Sequence, residues 1–384
     1  MDETPSGGHE RTLTVSSGPR ARREVPLAVA APAGAAEGEY VLEGAGDLLR
    51  AQIAHGRLLA ILPALSIGEV RTYTLRPSAA DPLAVAESTP AGVTIGIGGA
   101  DFVTLRLEGA PKPFLHPLFA PGGTSVVRGW PVEPSAGDTT DHVHHRGVWI
   151  GHGDVNGADA WEEHAERLGR IAADEVDTAS GAVCAHVALN LRWLLPGGRV
   201  ATLERRLHRF WAVDGQVRLL DIESTYSGAR GAWVRFGDTK EGALCGVRVA
   251  TGMEGSRGGR ITTAEGAVGE REAWGSAAGW CDYSGVPDGR RTGTVGVAIF
   301  DHPGNPLHPT RWHVRDYGLM TANPFALSHY LPGSGLQGDW LLPAGQSATF
   351  RFRLCVHRGD ADAAEVARRY ADWAFPPQVR WAQG

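Results

Sequence analysis

The stretch that decides the fold is VCAHVALNLRW, residues 183–193. Every second residue of this stretch, from Val183 to Trp193, is apolar. Strict alternation over this length predicts a β-strand with one buried face. Pro196-Gly197-Gly198 then turns the chain into residues 199–211, and Asp214-Gly215 turns it again into residues 216–226. The pattern predicts a meander of long antiparallel strands.

Composition extends this prediction to the whole chain of 384 residues. Its 52 glycines and 24 prolines break helices and favour many short strands joined by turns. Only residues 363–375 have helical spacing, with Val366, Ala367, Tyr370 and Trp373 on one stripe. We therefore predict a mostly β protein, a large antiparallel β-sandwich with a C-terminal helix.

The chain shows no internal repeat and no linker between independent domains. Residues 1–22 are rich in Gly, Ser, Arg and Glu, so we predict a disordered tail there. Residues 23–384 are predicted to form a single large β-sandwich domain. In that domain, residues 23–110 form an N-terminal strand layer and residues 111–384 carry the site.

Charge and cysteine content limit the classes of binding partner and the cellular compartment that we predict. The formal net charge is -6 and no run of Lys or Arg forms a basic stripe, which argues against nucleic acid. Four widely spaced cysteines without a CxxC pair predict reduced thiols in a cytoplasmic protein. The N-terminus does not have a signal-peptide pattern, and no run of eighteen apolar residues predicts a membrane span.

A first polar cluster is DHVHHRGVWIGHGDVNG, residues 141–157. Its imidazoles can donate, accept or transfer protons near neutral pH, although a structural hydrogen-bond network would also explain them. Its predicted site residues are His144 and His145 as catalytic groups, with Arg146, Trp149, His152, Asp154 and Asn156 as substrate-binding groups.

A second cluster spans residues 300–318, where three prolines prevent regular structure in the first half. Trp312 and Val314 alternate with His313 and Arg315, so a strand is expected to anchor the polar pair. The predicted site residues here and in the nearby turns are His302 and His313 as catalytic groups, with Lys240, Glu241, Arg315, Asp316 and Asn323 as substrate-binding groups.

A metal site is an alternative use of the first cluster. His142 and His144 could supply two imidazoles from one strand face, with a third ligand from Asp154, Glu162 or the second cluster. Nothing in the sequence fixes a full set of ligands. A divalent metal therefore stays an open alternative, and the metal-binding residues stay unknown.

At these clusters the chain resembles the PmoA-like family of bacterial proteins, which is named after a methane oxygenase subunit. The resemblance covers roughly residues 110–357, and it raises the interest of the Lys240-Glu241 turn. The matching segments are HHRGVW (144–149), GHGDVNG (151–157), KEG (240–242), FDHP (300–303), HVRDYG (313–318) and NPF (323–325). The chain has no transmembrane helices, so a true membrane methane monooxygenase subunit is not expected.

The resemblance implies an architecture similar to the large sandwiches of sugar mutarotases, a mutarotase-like supersandwich, and it implies a carbohydrate substrate. An aromatic platform for a sugar would come from side chains beside the clusters. These are Trp149, Trp161, Trp312 and Tyr317. The two clusters are then expected to meet in one wet, aromatic-walled hollow.

Our first hypothesis is a carbohydrate-active enzyme that moves protons on a sugar or keto-glycoside. His144 or His145 would act as base and His313 or His302 as acid. An anion would be stabilised by Arg146, Arg315 or Lys240. Elimination, epimerisation and mutarotation all fit, so a lyase, a hydrolase or an epimerase stays open.

Two other hypotheses stay open. One is a non-catalytic sugar-binding protein, and the other is a metal-dependent oxygenase or lyase built on His142 and His144. The expected partner is a small-molecule carbohydrate, with no nucleic acid and no membrane. A homo-oligomer is compatible with the sequence.

Overall fold

Antiparallel strands dominate the computed structural model, which describes residues 11–163, 167–213, 215–288 and 293–382. The short α-helices are α1 (Glu270–Ala273), α2 (Leu327–Tyr330) and α3 (Val366–Ala374). The strands are β1 (Thr12–Ser16), β2 (Val25–Ala30), β3 (Gly38–Gly44), β4 (Asp47–Ala54), β5 (Arg57–Leu62), β6 (Val70–Pro77), β7 (Ala84–Thr89), β8 (Gly92–Ile97), β9 (Ala100–Arg106), β10 (Phe114–Leu118), β11 (Val148–His152), β12 (Arg170–Ala179), β13 (Cys184–Leu194), β14 (Val200–Trp211), β15 (Val217–Ser227), β16 (Val234–Phe236), β17 (Gly242–Arg248), β18 (Arg260–Thr263), β19 (Trp280–Gly285), β20 (Val295–Asp301), β21 (Trp312–Arg315), β22 (Leu319–Ala322), β23 (Trp340–Leu342), β24 (Ser347–Arg358) and β25 (Gln378–Trp381).

The chain forms two units, and the first contains Met1–Ala84, Ser180–Cys184 and Arg368–Gly384. Its sheet has seven strands in the order β2-β5-β4-β3-β6-β1-β25. Alternate residues of these strands, such as Leu13 and Val15, are fully buried in its core. Period-two burial of this kind is what the apolar alternation in the sequence dictates.

The second unit contains Val85–Ala179 and Ala185–Ala367 and carries both polar clusters. One of its eight-stranded sheets has the order β21-β22-β17-β11-β10-β9-β8-β7, and the other has the order β12-β13-β14-β15-β24-β20-β19-β18. The rings of Phe102 on β9 and Phe210 on β14 pack edge to face, with centroids 6.1 Å apart. The sheets thus share a core, as in a sandwich.

This architecture confirms the predicted fold class, which is mostly β and antiparallel with a helix near the C-terminus. The predicted meander is present as β13, β14 and β15, which are neighbours in one sheet. Helix α3 lies within the predicted range of residues 363–375.

The prediction of a tail through residue 22 is wrong for residues 12–22. Strand β1 pairs with β6 on one side and with β25 on the other. Arg22 is buried and forms an ion pair with Asp372 at 3.1 Å. Local composition could not show this, because the stabilising partners are distant in sequence, and two of them, β25 and Asp372, lie near the other end of the chain. The part of the predicted tail before residue 11 lies outside the described residues.

The structure also bears on the predicted domain boundary, on the cysteines and on the possibility of a membrane span. The two units do not follow the predicted boundary at residue 110, since the first segment of the first unit ends at Ala84. All four cysteines are buried, and none of them forms a disulfide with a described residue. None of the helices in the described part of the chain has the length and apolarity to cross a membrane.

Candidate functional site

Sheet register brings the two polar clusters together. Strand β11, which lies within the first cluster, pairs with β17, and β17 pairs with β22, the partner of β21. Because these pairs are antiparallel, the residues before Val148 and the turn that joins β21 to β22 lie at the same end of the sheet. His313 and Arg315 project from β21 on the face opposite to Trp312 and Val314, as the alternation predicts.

A cleft of about 230 Å³ lies between these segments, and every side chain that lines it can donate or accept a hydrogen bond. We call it the histidine cleft. Its lining residues are His142, His144, Glu162, Lys240, Glu241, His313, Arg315 and Tyr317. His144, from the turn before β11, and His313, from strand β21, therefore face one volume.

His313 is held in one tautomer by the main chain. Its Nδ1 lies 2.7 Å from the carbonyl oxygen of Lys240, so Nδ1 carries the proton and donates it. No described residue hydrogen-bonds to its Nε2. Burial lowers the pKa of His313 to about 4, against a raising effect of Glu241. His313 is therefore a neutral imidazole at neutral pH, with Nε2 as an acceptor.

Rings stack along the wall of the cleft in the order Tyr317, His142, His145, Trp149. The centroid distances between successive rings are 4.9, 4.8 and 5.1 Å, and the planes are within 17° of parallel. His144 packs edge-on against His145 at 4.4 Å. The stack fixes the ring of His142 at the cleft surface and leaves His145 behind it.

The structure places His145 outside the cleft, and the catalytic role predicted for it stays a prediction. Its side chain is 1% exposed and does not line the cleft. Its Nδ1 accepts a hydrogen bond from Arg248 at 3.4 Å. Burial lowers the pKa of His145 well below its usual value. A neutral ring between two aromatic neighbours has a packing role.

Two fully buried arginines support this wall, and sequence reasoning missed both. Arg128 and Arg248 each form an ion pair with Asp141, the latter at 2.8 Å. Arg128 also donates to the carbonyl oxygen of His142 at 3.1 Å. Burial tends to raise the pKa of Asp141, but Arg248 and Arg128 outweigh it, so the pKa lies below its usual value. Asp141 thereby anchors the turn that carries the histidines.

The cations that line the cleft are each paired with a carboxylate. Lys240 forms an ion pair with the adjacent Glu241. Arg315 donates to Glu270 at 2.6 Å, and its guanidinium lies 5.5 Å from the ring centroid of Trp274. Paired cations of this kind keep their positions and still present donors to a ligand.

Several predicted binding residues lie away from the cleft. His152 is 1% exposed and packs between Phe236 and Phe325, with Nε2 donating to the carbonyl oxygen of Gly237 at 2.8 Å. Burial lowers the pKa of His152 to about 4. Trp149 is 2% exposed. Both residues lie on β11, which is buried on both faces, so neither lines the cleft, and the binding roles predicted for them stay predictions.

Asp154 and Asn156 form a structural turn. Asp154 accepts a hydrogen bond from the amide of Gly157 at 2.9 Å and pairs with Arg235 at 3.2 Å. Asn156 accepts from the amide of Arg235 at 2.8 Å and donates to the carbonyl oxygen of Ala201. Neither lines the histidine cleft, and the binding role predicted for them stays a prediction.

Arg146 is also engaged elsewhere. Its guanidinium binds both carboxylate oxygens of Glu163, at 2.8 and 2.6 Å. The buried Lys112 lies 3.9 Å from the same carboxylate. Burial lowers the pKa of Lys112 to about 8. This ion cluster underlies the cleft and does not line it.

The second cluster divides between two places. His302 follows β20 in the other sheet, accepts a hydrogen bond from the amide of Gly304 at 2.9 Å, and does not line the cleft. Asp316 bonds to Glu270 and Tyr283 through its main chain. Asn323 is 1% exposed and donates to the carbonyl oxygens of Thr239 and Lys240. Asn323 thus shapes the turn that orients His313.

The predicted aromatic platform is mostly buried. Trp149, Trp161 and Trp312 are at most 2% exposed, and only Tyr317 of the four aromatics lines the cleft. Trp149 and Trp161 belong to an apolar core cluster with Phe114, Ala243 and Leu319. Alternation in the sequence placed large aromatic residues beside polar ones but could not tell which face would be covered.

The metal alternative lacks a preformed ligand set. Among the described residues, no three imidazole or carboxylate groups of this cleft bring ligand atoms within 4.8 Å of one another. His142 stacks between His145 and Tyr317, and Asp154 belongs to a separate turn. The geometry gives no support to a site built on His142 and His144.

A larger cleft of about 900 Å³ is lined by parts of residues 116–138, 250–257 and 286–288. Its one imidazole, His116, is buried and donates through Nε2 to the carbonyl oxygen of Arg128 at 3.1 Å. None of the predicted site residues lines this cleft. The dense set of proton-transfer groups identifies the smaller histidine cleft as the candidate site.

The family match covers the part of the chain that carries the histidine cleft. Residues 92–371 match a family of unknown function (DUF6807). No curated protein matches the chain. The resemblance to PmoA-like proteins stays a prediction.

The chain is similar in structure to two larger proteins of Enterococcus faecalis. An alpha-mannosidase of strain V583 is 10% identical, with 97% of this chain and 46% of that chain covered and a TM-score of 0.42. A protein in the glycosyl hydrolase family 38 is 11% identical, with 98% and 48% covered and a TM-score of 0.41. This chain spans about half the length of either protein.

Proposed function

Since this chain belongs to the DUF6807 family, whose description names no activity, we propose its function from the geometry of the histidine cleft. We propose a carbohydrate-active enzyme that moves protons on a sugar or a keto-glycoside. One observation carries the proposal. His144 and His313, from separate segments of the chain, line one cleft together with two carboxylates, an ammonium and a guanidinium.

The shape and polarity of the cleft support a small sugar as the substrate. A volume of about 230 Å³ is below the usual range for drug-sized ligands and suits a single sugar ring. Sugar hydroxyls need several donors and acceptors, and all eight lining side chains offer them. Of the four predicted aromatic residues, Tyr317 lines the cleft, and its ring is stacked against His142. The net charge of -6 supports a small-molecule partner over nucleic acid.

The geometry favours a role for His313 that differs from the one that the sequence suggested. His313 was expected to act as acid, but its proton is on Nδ1 and engaged with Lys240, so Nε2 is the basic atom. In the proposed step, Nε2 takes the proton of a substrate hydroxyl or of a carbon beside a carbonyl. The electron pair stays on the substrate as an alkoxide or enolate, which Lys240 and Arg315 stabilise. A second group of the cleft then returns a proton.

Elimination, epimerisation and mutarotation all begin with such a proton removal, so a substrate screen has to separate them. Purified protein is incubated with reducing sugars, glycosides and 3-keto-glycosides and followed by proton NMR. We expect conversion of one class, and loss of that conversion in H144A and H313A. The control is H302A, which removes an imidazole outside the cleft and should keep the rate.

Two outcomes would contradict the proposal. Conversion of none of these classes would argue against an enzyme acting on them, and binding without turnover would identify a sugar-binding protein instead. Equal turnover by the wild type, H144A and H313A would place the chemistry outside the histidine cleft.

A further inference from the structure

We propose that Glu162 is the second proton-transfer group of the histidine cleft, so that the acid and base are a carboxyl group and an imidazole. This inference rests on the proposed function and adds a catalytic residue to it. Glu162 lines the same cleft as His313, and its side chain is exposed there.

Glu162 differs from the other carboxylate that lines the cleft. Glu241 is occupied by its ion pair with Lys240. Within residues 11–163, 167–213, 215–288 and 293–382, no cation pairs with the Glu162 carboxylate and no donor hydrogen-bonds to it. A carboxyl group without a structural partner, in a cleft of imidazoles, is available to a substrate.

The main chain before Glu162 is fixed by hydrogen bonds. Asp159 accepts from the amides of Trp161 and Glu162 at 2.9 and 3.1 Å through one carboxylate oxygen. Lys112 donates to the carbonyl oxygen of Trp161 at 2.8 Å. A buried ammonium bound to that carbonyl holds the peptide that leads directly into Glu162.

The residues on either side of Glu162 are held by their side chains. Trp161 is fully buried, and its ring lies 5.7 Å from that of His144 and 5.3 Å from that of His145. Glu163 is bound at both oxygens by Arg146. Buried neighbours therefore present the Glu162 side chain to the cleft. A short segment with this much support is a means to position a catalytic group.

The proposed step balances for the opening of a hemiacetal ring. The anomeric O–H proton passes to Nε2 of His313, and the carbon-to-ring-oxygen bond breaks as the carbonyl forms. The ring oxygen takes a proton from the acid form of Glu162. The imidazolium then loses its proton and the carboxylate regains one, through water, which restores both groups. In an elimination, Glu162 would protonate the departing oxygen in the same way.

The test compares E162Q with the wild type on the sugar that the NMR screen identifies. Gln keeps the shape and removes the transferable proton, so we expect kcat to fall by about 10²- to 10⁴-fold, with KM changed by much less. E265Q is the matched control, because Glu265 is exposed in a turn outside the cleft. Added formate should restore part of the rate of E162A, which a merely structural role would not allow.

The outcomes separate this inference from the proposed function. If H313A abolishes turnover but E162Q stays within threefold of the wild type, Glu162 is not catalytic and the proposed function stands. A slow E162A that formate does not rescue also overturns the inference. If the wild type converts no sugar, the proposed function and this inference fall together.

Discussion

At the scale of the residue, the electrostatics of His313 predict the pH dependence of the reaction. Burial lowers the pKa of His313 to about 4, and only the neutral ring can accept a proton at Nε2. On the acid side, the value of kcat/KM should therefore fall tenfold per pH unit below about 4. H313Q should lose about 100-fold or more in rate, together with this acid limb.

The measurement is kcat/KM between pH 3.5 and 8, with circular dichroism at each pH to confirm that the protein is folded. H302A serves as the control and should keep the limb where the wild type has it. A limb near the ordinary imidazole pKa of about 6.5 would mean that another group is the base.

At the scale of the element, the turn before β11 sets where the histidines lie. Gly147 has a φ of 56°, and a Cβ there would be 2.1 Å from the carbonyl oxygen of Leu115 on β10. G147A should therefore destabilise the fold by more than the roughly 1–2 kcal/mol of a left-handed residue. It should also lower activity, because the turn carries His144.

Gly109 provides the matched comparison. It has a φ of 84°, and a Cβ there would meet nothing within 4 Å. G109A should lower the free energy of unfolding only by the roughly 1–2 kcal/mol of a left-handed residue. The free energies of unfolding of both variants are measured in urea. A G147A variant as stable as G109A would show that β10 and the turn can move apart easily.

At the scale of the whole molecule, buried histidines predict acid sensitivity. Burial lowers the pKa of His208 to about 3 and that of His152 to about 4. In the unfolded chain both would titrate near 6.5, so the unfolded state binds protons first as the pH falls. The contribution of these two histidines to the free energy of unfolding is fully present above about pH 6.5. It is lost progressively as the pH falls toward their pKa values in the folded protein.

The loss should be about 2 kcal/mol for each of these histidines between pH 7.5 and pH 5. H208F removes one of the groups, so the stability difference between the two pH values should shrink by about that amount. Urea unfolding at both pH values checks this. An unchanged difference in H208F would show that His208 does not contribute to the acid sensitivity.

Local periodicity was enough to predict most of the fold. Alternation along residues 183–193 predicted strand β13 and its meander, and the helical stripe predicted α3. The N-terminal strand β1 was missed because its partner β25 lies more than 350 residues away in sequence. Pairing at that distance leaves no trace in the composition of residues 12–16.

The sequence predicted the chemical character of the candidate site but only some of the residues that line it. His144 and His313 stood out as imidazoles in polar loops, and both line the cleft. His145, one residue further, is buried because the turn directs its ring against Trp149. Arg128 and Arg248 were missed because their ion pairs with Asp141 form only once β11 and β17 are paired in the fold.

The central claim is that His144 and His313 act on one ligand in one cleft. Turnover by the H144A/H313A double variant, relative to each single variant, tests it most directly. Residues of one catalytic unit are strongly non-additive, so we expect the double variant to lose little more rate than the more damaged single variant. Losses that multiply as if the two sites were independent, or single variants with full rate, would contradict the claim.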